Sequence, residues 1–254
     1  MNYKTLSVET QNGIVILKLD FEKKLNSLSQ LFFDEFIDVV EALHENTTAK
    51  VLIIRGTDKV FSAGGDLKEI GNASYEEAFL MCVRVQKAFS MLQSLKIPVI
   101  AALNGIVFGG GFELALHCDI RFCTDNAILK LPESELGLIP GAGGISILSR
   151  IISPADTAYY LFTGEQIPVQ IAFQKGIIQR VCSSDDIYNQ AIDFAKELCK
   201  KPLASLTAIK KVLYTNLYKD LNEGLNAEAM EFSSVLQLSG RKMIEDFFKN
   251  KTKK

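Results

Sequence analysis

The stretch NGIVFGGGFE, residues 104–113, places a short apolar run before three consecutive glycines and a helix-like segment that carries Glu113 in its first turn. Glycine has no Cβ, so a ligand can approach the backbone closely at such a turn. The first N–H groups of a helix have no partner within it and lie at the positive end of its dipole. The stretch therefore predicts a strand, a turn that binds an anion or a developing oxyanion, and a helix.

The glycine triplet does not match the two common nucleotide-binding patterns. No Gly-Lys-Ser/Thr follows it, as a phosphate-binding loop requires, and it lacks the spacing and the downstream acid of the dinucleotide fingerprint. We therefore favour a transient oxyanion as the ligand. The alternative is that the glycines only allow a helix to pack closely against a strand, which also requires small residues.

Two other segments combine glycines with acidic residues. They read FSAGGDL, residues 61–67, and LPESELGLIPGAGG, residues 131–144. Glu113 has apolar sequence neighbours, and Glu133 follows an apolar stretch. Carboxyls in apolar surroundings have raised pKa values and can exchange protons near neutral pH, and two of them can share acid and base work. The alternative is that Glu113 caps its helix and Glu133 is solvated.

The surrounding sequence alternates between strand and helix patterns, which favours layered α/β architecture. Most of the predicted strands are short and apolar, as expected for strands buried on both faces. Strands are predicted at residues 13–19, 51–54, 97–103 and about 119–122, and helices after Ser29, at 75–95, at 111–117 and from 184–186 to about 200.

The last third of the chain is mostly helical in pattern. Ser153 followed by Pro154 predicts a helix start, and Gly164 suits the end of that helix. Two or three amphipathic helices and a lysine-rich tail follow residue 200. The sequence therefore predicts an α/β core over residues 1–200 and a helical subdomain over residues 201–254.

The net charge and the lengths of the apolar runs argue against some classes of partner. The 254-residue chain has a net charge of −2 and a pI of about 5.8, which gives no electrostatic reason to expect nucleic acid or an anionic membrane as partner. Residues 1–12 lack the pattern of a targeting segment, and the apolar runs are far shorter than a membrane span. We therefore expect a soluble enzyme with no membrane partner.

The cysteines and histidines offer little for metal chemistry. The five cysteines are scattered and form neither a metal-ligand spacing nor a disulfide framework, so buried free thiols in a reducing cytoplasm are expected. The two histidines, His44 and His117, do not suggest a histidine-rich metal site. His117 lies one helical turn after Glu113 and is expected to be a packed helix residue, with contact to the site as the alternative.

In this order and spacing, the three glycine-containing segments resemble the enoyl-CoA hydratase/isomerase (crotonase) family. The resemblance is strongest over residues 96–144 and extends more weakly from about residue 25 to 181. It implies a spiral of ββα units with a C-terminal helical extension. It also implies a homotrimer or a dimer of trimers, and an acyl-CoA or acyl-carrier thioester substrate. CoA would be part of that substrate, and no metal, flavin or redox nucleotide is expected.

The resemblance also assigns roles to individual residues. The backbone N–H groups of Gly65 and Gly110 would hold the thioester oxygen as it becomes an enolate. Glu113 and Glu133 match the two catalytic glutamates of the hydratases, which activate water for addition at C3 and deliver a proton at C2. Gly141 matches a backbone group that helps to position that water.

The expected CoA contacts lie around the first glycine pair. Residues 63–67 resemble the part of the family that wraps the adenine and pantetheine, which implies roles for Ala63, Gly65, Asp66 and Leu67. Lys24 and Lys68 are the candidate phosphate neighbours. The sequence departs from the family pattern at residues 145–147 and 241–254, which puts subunit packing and C-terminal CoA contacts in doubt.

Four functions are consistent with these residues. Hydration of a 2-enoyl-CoA is favoured because both glutamates are present. Isomerisation of a 3-enoyl-CoA can proceed with one carboxylate and is the first alternative. Decarboxylation of an acyl thioester, on CoA or on a carrier protein, uses the same oxyanion site without a second acid. The fourth is a non-catalytic binding subunit, which the retained glycines and glutamates disfavour.

Overall fold

The strands of the computed structural model, which describes residues 3–217 and 219–251, form one six-stranded and one three-stranded sheet. They are β1 (Leu6–Gln11), β2 (Ile14–Leu19), β3 (Val51–Arg55), β4 (Val60–Ser62), β5 (Val99–Leu103), β6 (Ile106–Phe108), β7 (Ile120–Thr124), β8 (Ile128–Lys130) and β9 (Arg180–Cys182). The large sheet has the order β1-β2-β3-β5-β7-β9, and the small sheet has the order β4-β6-β8.

The helices lie between and after these strands and are numbered in chain order. They are α1 (Gln30–Glu45), α2 (Leu67–Gly71), α3 (Tyr75–Ser94), α4 (Gly110–Leu116), α5 (Gly144–Ile151), α6 (Pro154–Thr163), α7 (Val169–Gln174), α8 (Ile187–Cys199), α9 (Leu203–Asn216), α10 (Leu221–Val235) and α11 (Arg241–Lys251). A π-helical segment, Leu236–Gly240, joins the last two. No helix within residues 3–217 and 219–251 is both long and apolar enough to cross a membrane.

The two sheets are built from a repeated unit of two strands and a helical segment. In each repeat the first strand enters the large sheet and the second enters the small sheet: β3 and β4 precede α2 and α3, β5 and β6 precede α4, and β7 and β8 precede α5. The three strands of the small sheet are parallel neighbours, so their carboxyl ends meet at one edge. The segments after residues 62, 108 and 130 therefore emerge side by side.

The core lies on both faces of the large sheet. Every residue of β5 is buried, as expected for an apolar strand in the middle of a parallel sheet. One face carries α1, α3 and α4, whose buried aromatic residues include Phe36, Phe89 and Phe112. The other face is covered by α8 through small residues such as Ala191 and Ala195.

Several predicted helix ends are confirmed at atomic detail. The Ser29 side chain accepts the Phe32 N–H at the start of α1, and Ser153 accepts the Asp156 N–H at the start of α6. Gly164 ends α6 in a left-handed conformation with φ +63°. The strand predicted at residues 97–103 begins two residues later than expected. Pro98 and the residue before it precede β5, which starts at Val99.

Four strands, β1, β4, β8 and β9, were not predicted from the sequence; β4, like β8 and β9, has only three residues. In β1 only Leu6 is buried, so its polar residues carry no hydrophobic signal. The strands β8 and β9 have three residues each, too few for an alternating pattern to be recognised. Their pairing is fixed by neighbouring strands: β8 pairs with β6, and β9 pairs with β7.

Candidate active site

Two glycine loops approach each other at the edge of the small sheet. Gly109 has φ +50° and ψ −127°, and Gly64 has φ +94°, conformations that residues with a Cβ rarely adopt. A Cβ on Gly64 would lie 2.9 Å from the Phe108 carbonyl oxygen, so the loops leave no room for a side chain there. A Cβ on Gly111 would lie 2.5 Å from the Ser62 Cβ. The glycines therefore do allow close packing, as the alternative interpretation held.

The same loops leave two backbone donors available. Gly110 is the first residue of α4, so its N–H has no intrahelical partner. Leu28 pairs with the Gly65 loop by donating to the Gly64 carbonyl at 2.8 Å and accepting from the Asp66 N–H at 3.3 Å, which directs the Gly65 N–H to the opposite side. Within residues 3–217 and 219–251, neither glycine N–H donates a hydrogen bond. A Cβ on Gly110 would lie 3.6 Å from the Gly65 nitrogen.

Glu113 projects from the first turn of α4 towards the start of α5. Its side chain is buried, and Oε1 accepts the N–H groups of Ala142 and Gly144, each at 2.8 Å. Burial raises the pKa of Glu113, whereas the two N–H donors act against that rise by stabilising the carboxylate. Glu113 Oε2 lies 4.0 Å from where a Gly110 Cβ would be, so this oxygen faces the space beside the free amide.

Glu133 is the first residue of a short 3₁₀ helix, Glu133–Leu136, that follows β8. Its Oε1 would lie 3.0 Å from a Cβ on Gly109. Its Oε2 is buried and has no hydrogen-bond partner among the described residues. Burial, and then the charge of Glu113, raise the pKa of Glu133 to about 7. The alternative of a solvated Glu133 is therefore wrong for its carboxyl group.

The two carboxyls differ in their hydrogen-bond environment. Glu113 receives two N–H hydrogen bonds at the N-terminus of α5, a position that stabilises negative charge. Glu133 Oε2 has no hydrogen-bond partner among the described residues, only the backbone of Glu133 itself lowers its pKa, and the charge of Glu113 raises it. Burial raises the pKa of both carboxyls, and the two N–H donors favour the carboxylate form of Glu113, so the pair can divide base and acid work on one ligand.

Gly141 lies in the loop between the 3₁₀ helix that carries Glu133 and α5, and this loop is supported by α3. The Gln86 side-chain amide donates to the Gly141 carbonyl at 2.8 Å. A Cβ on Gly141 would lie 2.9 Å from Cys82 Sγ, so this thiol contacts the loop. The sequence did not indicate either α3 residue as part of the site, because they lie more than fifty positions before the loop.

The cysteines are only partly as expected. All five are free, and Cys118, Cys123 and Cys182 are buried. Cys82 is exposed and Cys199 is half-buried, so the expectation of buried thiols is wrong for these two. Both lie on amphipathic helices, where an apolar neighbour in sequence can point to the opposite face. Among the described residues, no group of three or more His, Cys, Asp or Glu side chains could hold a metal ion.

The predicted CoA-binding residues form a small polar cluster beside the glycine loop. Asp66 caps α2 by accepting the Lys68 N–H at 3.0 Å, and its other carboxylate oxygen pairs with Lys24 Nζ at 3.2 Å. Leu67 is exposed, and Ala63 is half-buried. The structure thus places Lys24 next to Asp66, whereas the Lys68 side chain is exposed to solvent.

Comparison with known proteins gives a consistent result. A family model described as enoyl-CoA hydratase/isomerase matches residues 9–254. The chain is 32% identical over 233 residues to a probable mitochondrial enoyl-CoA hydratase 2 of Arabidopsis thaliana, covering 91% of this chain and 77% of that protein. It is 30% identical over 233 residues to a crotonyl-CoA hydratase of Syntrophomonas wolfei, covering 91% of this chain and 90% of that protein.

The fold is shared with solved structures. The crystal structure of an enoyl-CoA hydratase from Bacillus anthracis superposes with a TM-score of 0.93 at 31% identity, covering 98% of this chain and 97% of that one. An enoyl-CoA hydratase structure from Geobacillus kaustophilus gives a TM-score of 0.95 at 26% identity, covering 98% and 96%. The expected α/β spiral of ββα units is therefore confirmed.

Proposed function

The chain belongs to the enoyl-CoA hydratase/isomerase family, and from that premise we propose that it adds water across the 2,3 double bond of a 2-enoyl-CoA thioester. The observation that carries the proposal is the placement of two buried carboxyls in different hydrogen-bond environments beside two backbone N–H groups that have no partner among the described residues. The names of the relatives from Arabidopsis and Syntrophomonas support the same reaction.

In the proposed mechanism, the thioester carbonyl oxygen accepts the N–H groups of Gly65 and Gly110. The carbonyl gains charge only as the enolate forms, so fixed donors at this point lower the barrier selectively. The Gly141 backbone helps to hold the attacking water between the two glutamates. The loop that carries it is fixed from α3 by the Gln86 hydrogen bond.

The proton transfers divide between the glutamates. The Glu113 carboxylate takes one proton from water as the water oxygen bonds to C3, and the double-bond electrons move onto the thioester oxygen. The Glu133 carboxyl then delivers its proton to C2 as the carbonyl re-forms. One oxygen and two hydrogens are added in total, and the proton on Glu113 returns to Glu133 through water before the next turnover.

Two other reactions could use the same oxyanion site. Isomerisation of a 3-enoyl-CoA and decarboxylation of an acyl thioester both pass through an enolate, but neither requires two carboxyls with different pKa values. The presence of both Glu113 and Glu133 at one edge of the small sheet favours hydration. A carrier-protein thioester and a non-catalytic binding role are the remaining alternatives.

A panel of 2-enoyl-, 3-enoyl- and malonyl-type thioesters in H₂¹⁸O and in D₂O tests the reaction. We expect mass spectrometry to find ¹⁸O in the product hydroxyl and one deuterium at C2 of a 2-enoyl-CoA. An isomer of unchanged oxygen content, or loss of CO₂, would overturn hydration in favour of one of the alternatives. Dialysis against a chelator should leave the activity intact, since CoA enters as part of the substrate and no cofactor is proposed.

Proline at Gly110 tests the proposed oxyanion donor, because proline has no N–H and is tolerated at the first position of a helix. Tyr75→Pro is the matched control, since Tyr75 is the first residue of α3 and is 87% exposed. Removal of one oxyanion donor costs roughly 10²–10³ in rate, so we expect that loss for Gly110→Pro and none for the control. Circular dichroism and thermal melting establish that both fold. A folded Gly110→Pro protein at wild-type rate would contradict the placement.

We also propose contacts that the chain shares with its family. CoA would lie along Ala63, Gly65, Asp66 and Leu67, with Lys24 and Lys68 near its phosphates. The double variant Lys24→Ala/Lys68→Ala should raise KM several-fold without lowering kcat, since it removes uniform binding only. An unchanged KM would remove the lysines from the CoA site.

We propose assembly into a homotrimer or a dimer of trimers, as the family resemblance implies, and the apolar surface of the C-terminal helices supports self-association. Met230 and Phe232 on α10 and Leu238 in the π-helical segment are all highly exposed in the single chain. Sedimentation equilibrium should give a multiple of three chains, and a monomer would contradict the proposal. The domain boundary at residue 200 and a cytoplasmic location stay predictions.

A further inference from the structure

His117 lies at the end of α4, one helical turn beyond Glu113, and is 6% exposed. Its Nε2 is 2.9 Å from the Ala142 carbonyl oxygen, and its ring lies 5.7 Å from that of Phe89. A Cβ on Gly143 would lie 2.9 Å from Nε2, so the imidazole fills the space beside that glycine. The expectation of a packed histidine holds, but the residue it packs against belongs to the loop that binds Glu113.

The hydrogen-bond pattern fixes the form of the imidazole. A carbonyl oxygen only accepts, so Nε2 must carry the hydrogen. Nδ1 is buried and has no partner among the described residues, so it is a bare acceptor in the neutral ring. Protonation would create a buried, unpaired N–H, and burial lowers the pKa of His117 for this reason. The titratable side chains around the loop, Glu113, Glu133 and Cys82, do not hydrogen-bond to the ring.

Ala142 is held at both of its backbone groups by α4. Its N–H donates to Glu113 Oε1 at 2.8 Å, and its carbonyl accepts from His117. The next residue, Gly143, has φ +107°, so the chain turns sharply before α5 begins. The side chains of Glu113 and His117, one turn apart on α4, therefore hydrogen-bond to two successive peptide groups immediately after Gly141.

We propose that His117 is a positioning residue for this reaction: its neutral imidazole fixes the Ala142 carbonyl and thereby orients the donors to Glu113 and the water-holding Gly141. The expected effect on kcat rests on the proposed function, whereas the hydrogen bond between His117 and Ala142 does not. The neighbouring Gln86 holds the Gly141 carbonyl from α3, so the loop is clamped from two helices.

Two substitutions separate the positioning role from packing. His117→Phe keeps an aromatic ring but removes the N–H, whereas His117→Gln keeps an N–H donor near the position of Nε2. Small displacements of catalytic groups can cost about 10²-fold, so we expect kcat of His117→Phe to fall roughly 10- to 100-fold with KM little changed. His117→Gln should recover most of that loss. His44→Phe is the matched control and should keep wild-type kcat, because His44 on α1 bonds to the Val40 carbonyl and to Ser94 at the end of α3, neither of which is a site residue.

A substrate-free measurement keeps the inference testable if His117→Phe does not fold or if hydration fails. The chain has only two histidines, so ¹³C/¹⁵N-histidine labelling with a His44→Gln reference assigns the His117 signals by NMR. We expect the Nε2–H tautomer and a pKa below the ordinary value for histidine. An Nδ1–H tautomer, an ordinary titration, or equal kcat for His117→Phe and wild type would overturn the proposal. A correct tautomer with no hydratase activity would refute the proposed function alone.

Discussion

The junction between α4 and α5, which holds Glu113, differs sharply from the 3₁₀ turn after β8, which holds Glu133. In the first region backbone N–H groups converge on one carboxylate oxygen, and His117 secures the same loop. In the second region a buried carboxylate oxygen has no hydrogen-bond partner among the described residues. The same type of side chain thus has its carboxylate form stabilised by two backbone donors in one place and is left with an unpaired buried oxygen in the other.

The comparison indicates that hydrogen bonding from the local backbone, and not the residue type, determines which glutamate serves as the base and which as the acid. Two backbone hydrogen bonds to the charged form oppose the effect of burial on the pKa of Glu113, whereas for Glu133 only its own backbone opposes burial and the charge of Glu113 adds to it. Substitution of either glutamate, or a change of pH, perturbs one side of this comparison.

The largest expected effect comes from replacing the glutamates with glutamine. Glu113→Gln and Glu133→Gln keep the side-chain size but abolish proton transfer, and a positioned acid or base is worth typically 10²–10⁴ in rate. Because the two groups serve one step, the double variant should lose less than the product of the single losses. Steady-state kinetics on a 2-enoyl-CoA measures all three. Full activity in either folded single variant would falsify the assignment.

The second effect is the pH dependence of kcat/KM, which reports the free enzyme. Glu133 must carry a proton to act as the acid, and its pKa is raised to about 7. We therefore expect kcat/KM to fall as pH rises above about 7, by about tenfold per unit once deprotonation is complete. A fall on the acid side should follow when Glu113 becomes protonated. A kcat/KM that stays constant from neutral pH to pH 9 would remove Glu133 from the acid role.

The smallest effect is on stability, and the two regions differ because removal of Glu113 also removes the acceptor of two backbone hydrogen bonds. Glu113→Ala leaves the Ala142 and Gly144 N–H groups without their acceptor, which should lower the free energy of unfolding by about 1–3 kcal/mol. Glu133→Ala removes a carboxylate whose folded pKa is raised. Such a group binds its proton more tightly in the folded state, so stability falls as pH rises through the window between its unfolded value and about 7.

Relative to wild type, Glu133→Ala should therefore be more stable at pH 8 than at pH 5. Glu113→Ala should be less stable than wild type at pH 8. Urea unfolding at the two pH values measures both differences. Destabilisation of Glu133→Ala at pH 8 by as much as Glu113→Ala would mean that the regions are alike.

Much of the site could be predicted because its residues are local in sequence. The turn at residues 109–111 and the helix behind it follow from the glycine triplet and its apolar flanks, and Glu113 lies within that same segment. The small sheet then brings Gly65 and Glu133 to the same edge, because β4, β6 and β8 are parallel neighbours. This juxtaposition was implied by family resemblance and could not be read from strands of three residues.

The remaining features depend on tertiary packing. The contact of His117 with Ala142 spans 25 positions, and that of Gln86 with Gly141 spans 55. Neither has a periodicity or a motif, since both result from the way α3, α4 and the α5 loop pack together. The exposed position of Cys82 was missed for the same reason: its neighbours in sequence are apolar, but its face of α3 points to the loop.

Infrared difference spectroscopy across a pH titration tests the central contrast most directly, because a protonated carboxyl has its own C=O stretching band. We expect wild-type protein to show such a band that disappears with an apparent pKa near the value of about 7 given for Glu133. The band should be absent from Glu133→Gln, and in Glu113→Gln it should persist but titrate at lower pH, because the neighbouring charge is gone. A band that survives in Glu133→Gln and vanishes in Glu113→Gln would reverse the acid and the base and contradict the account.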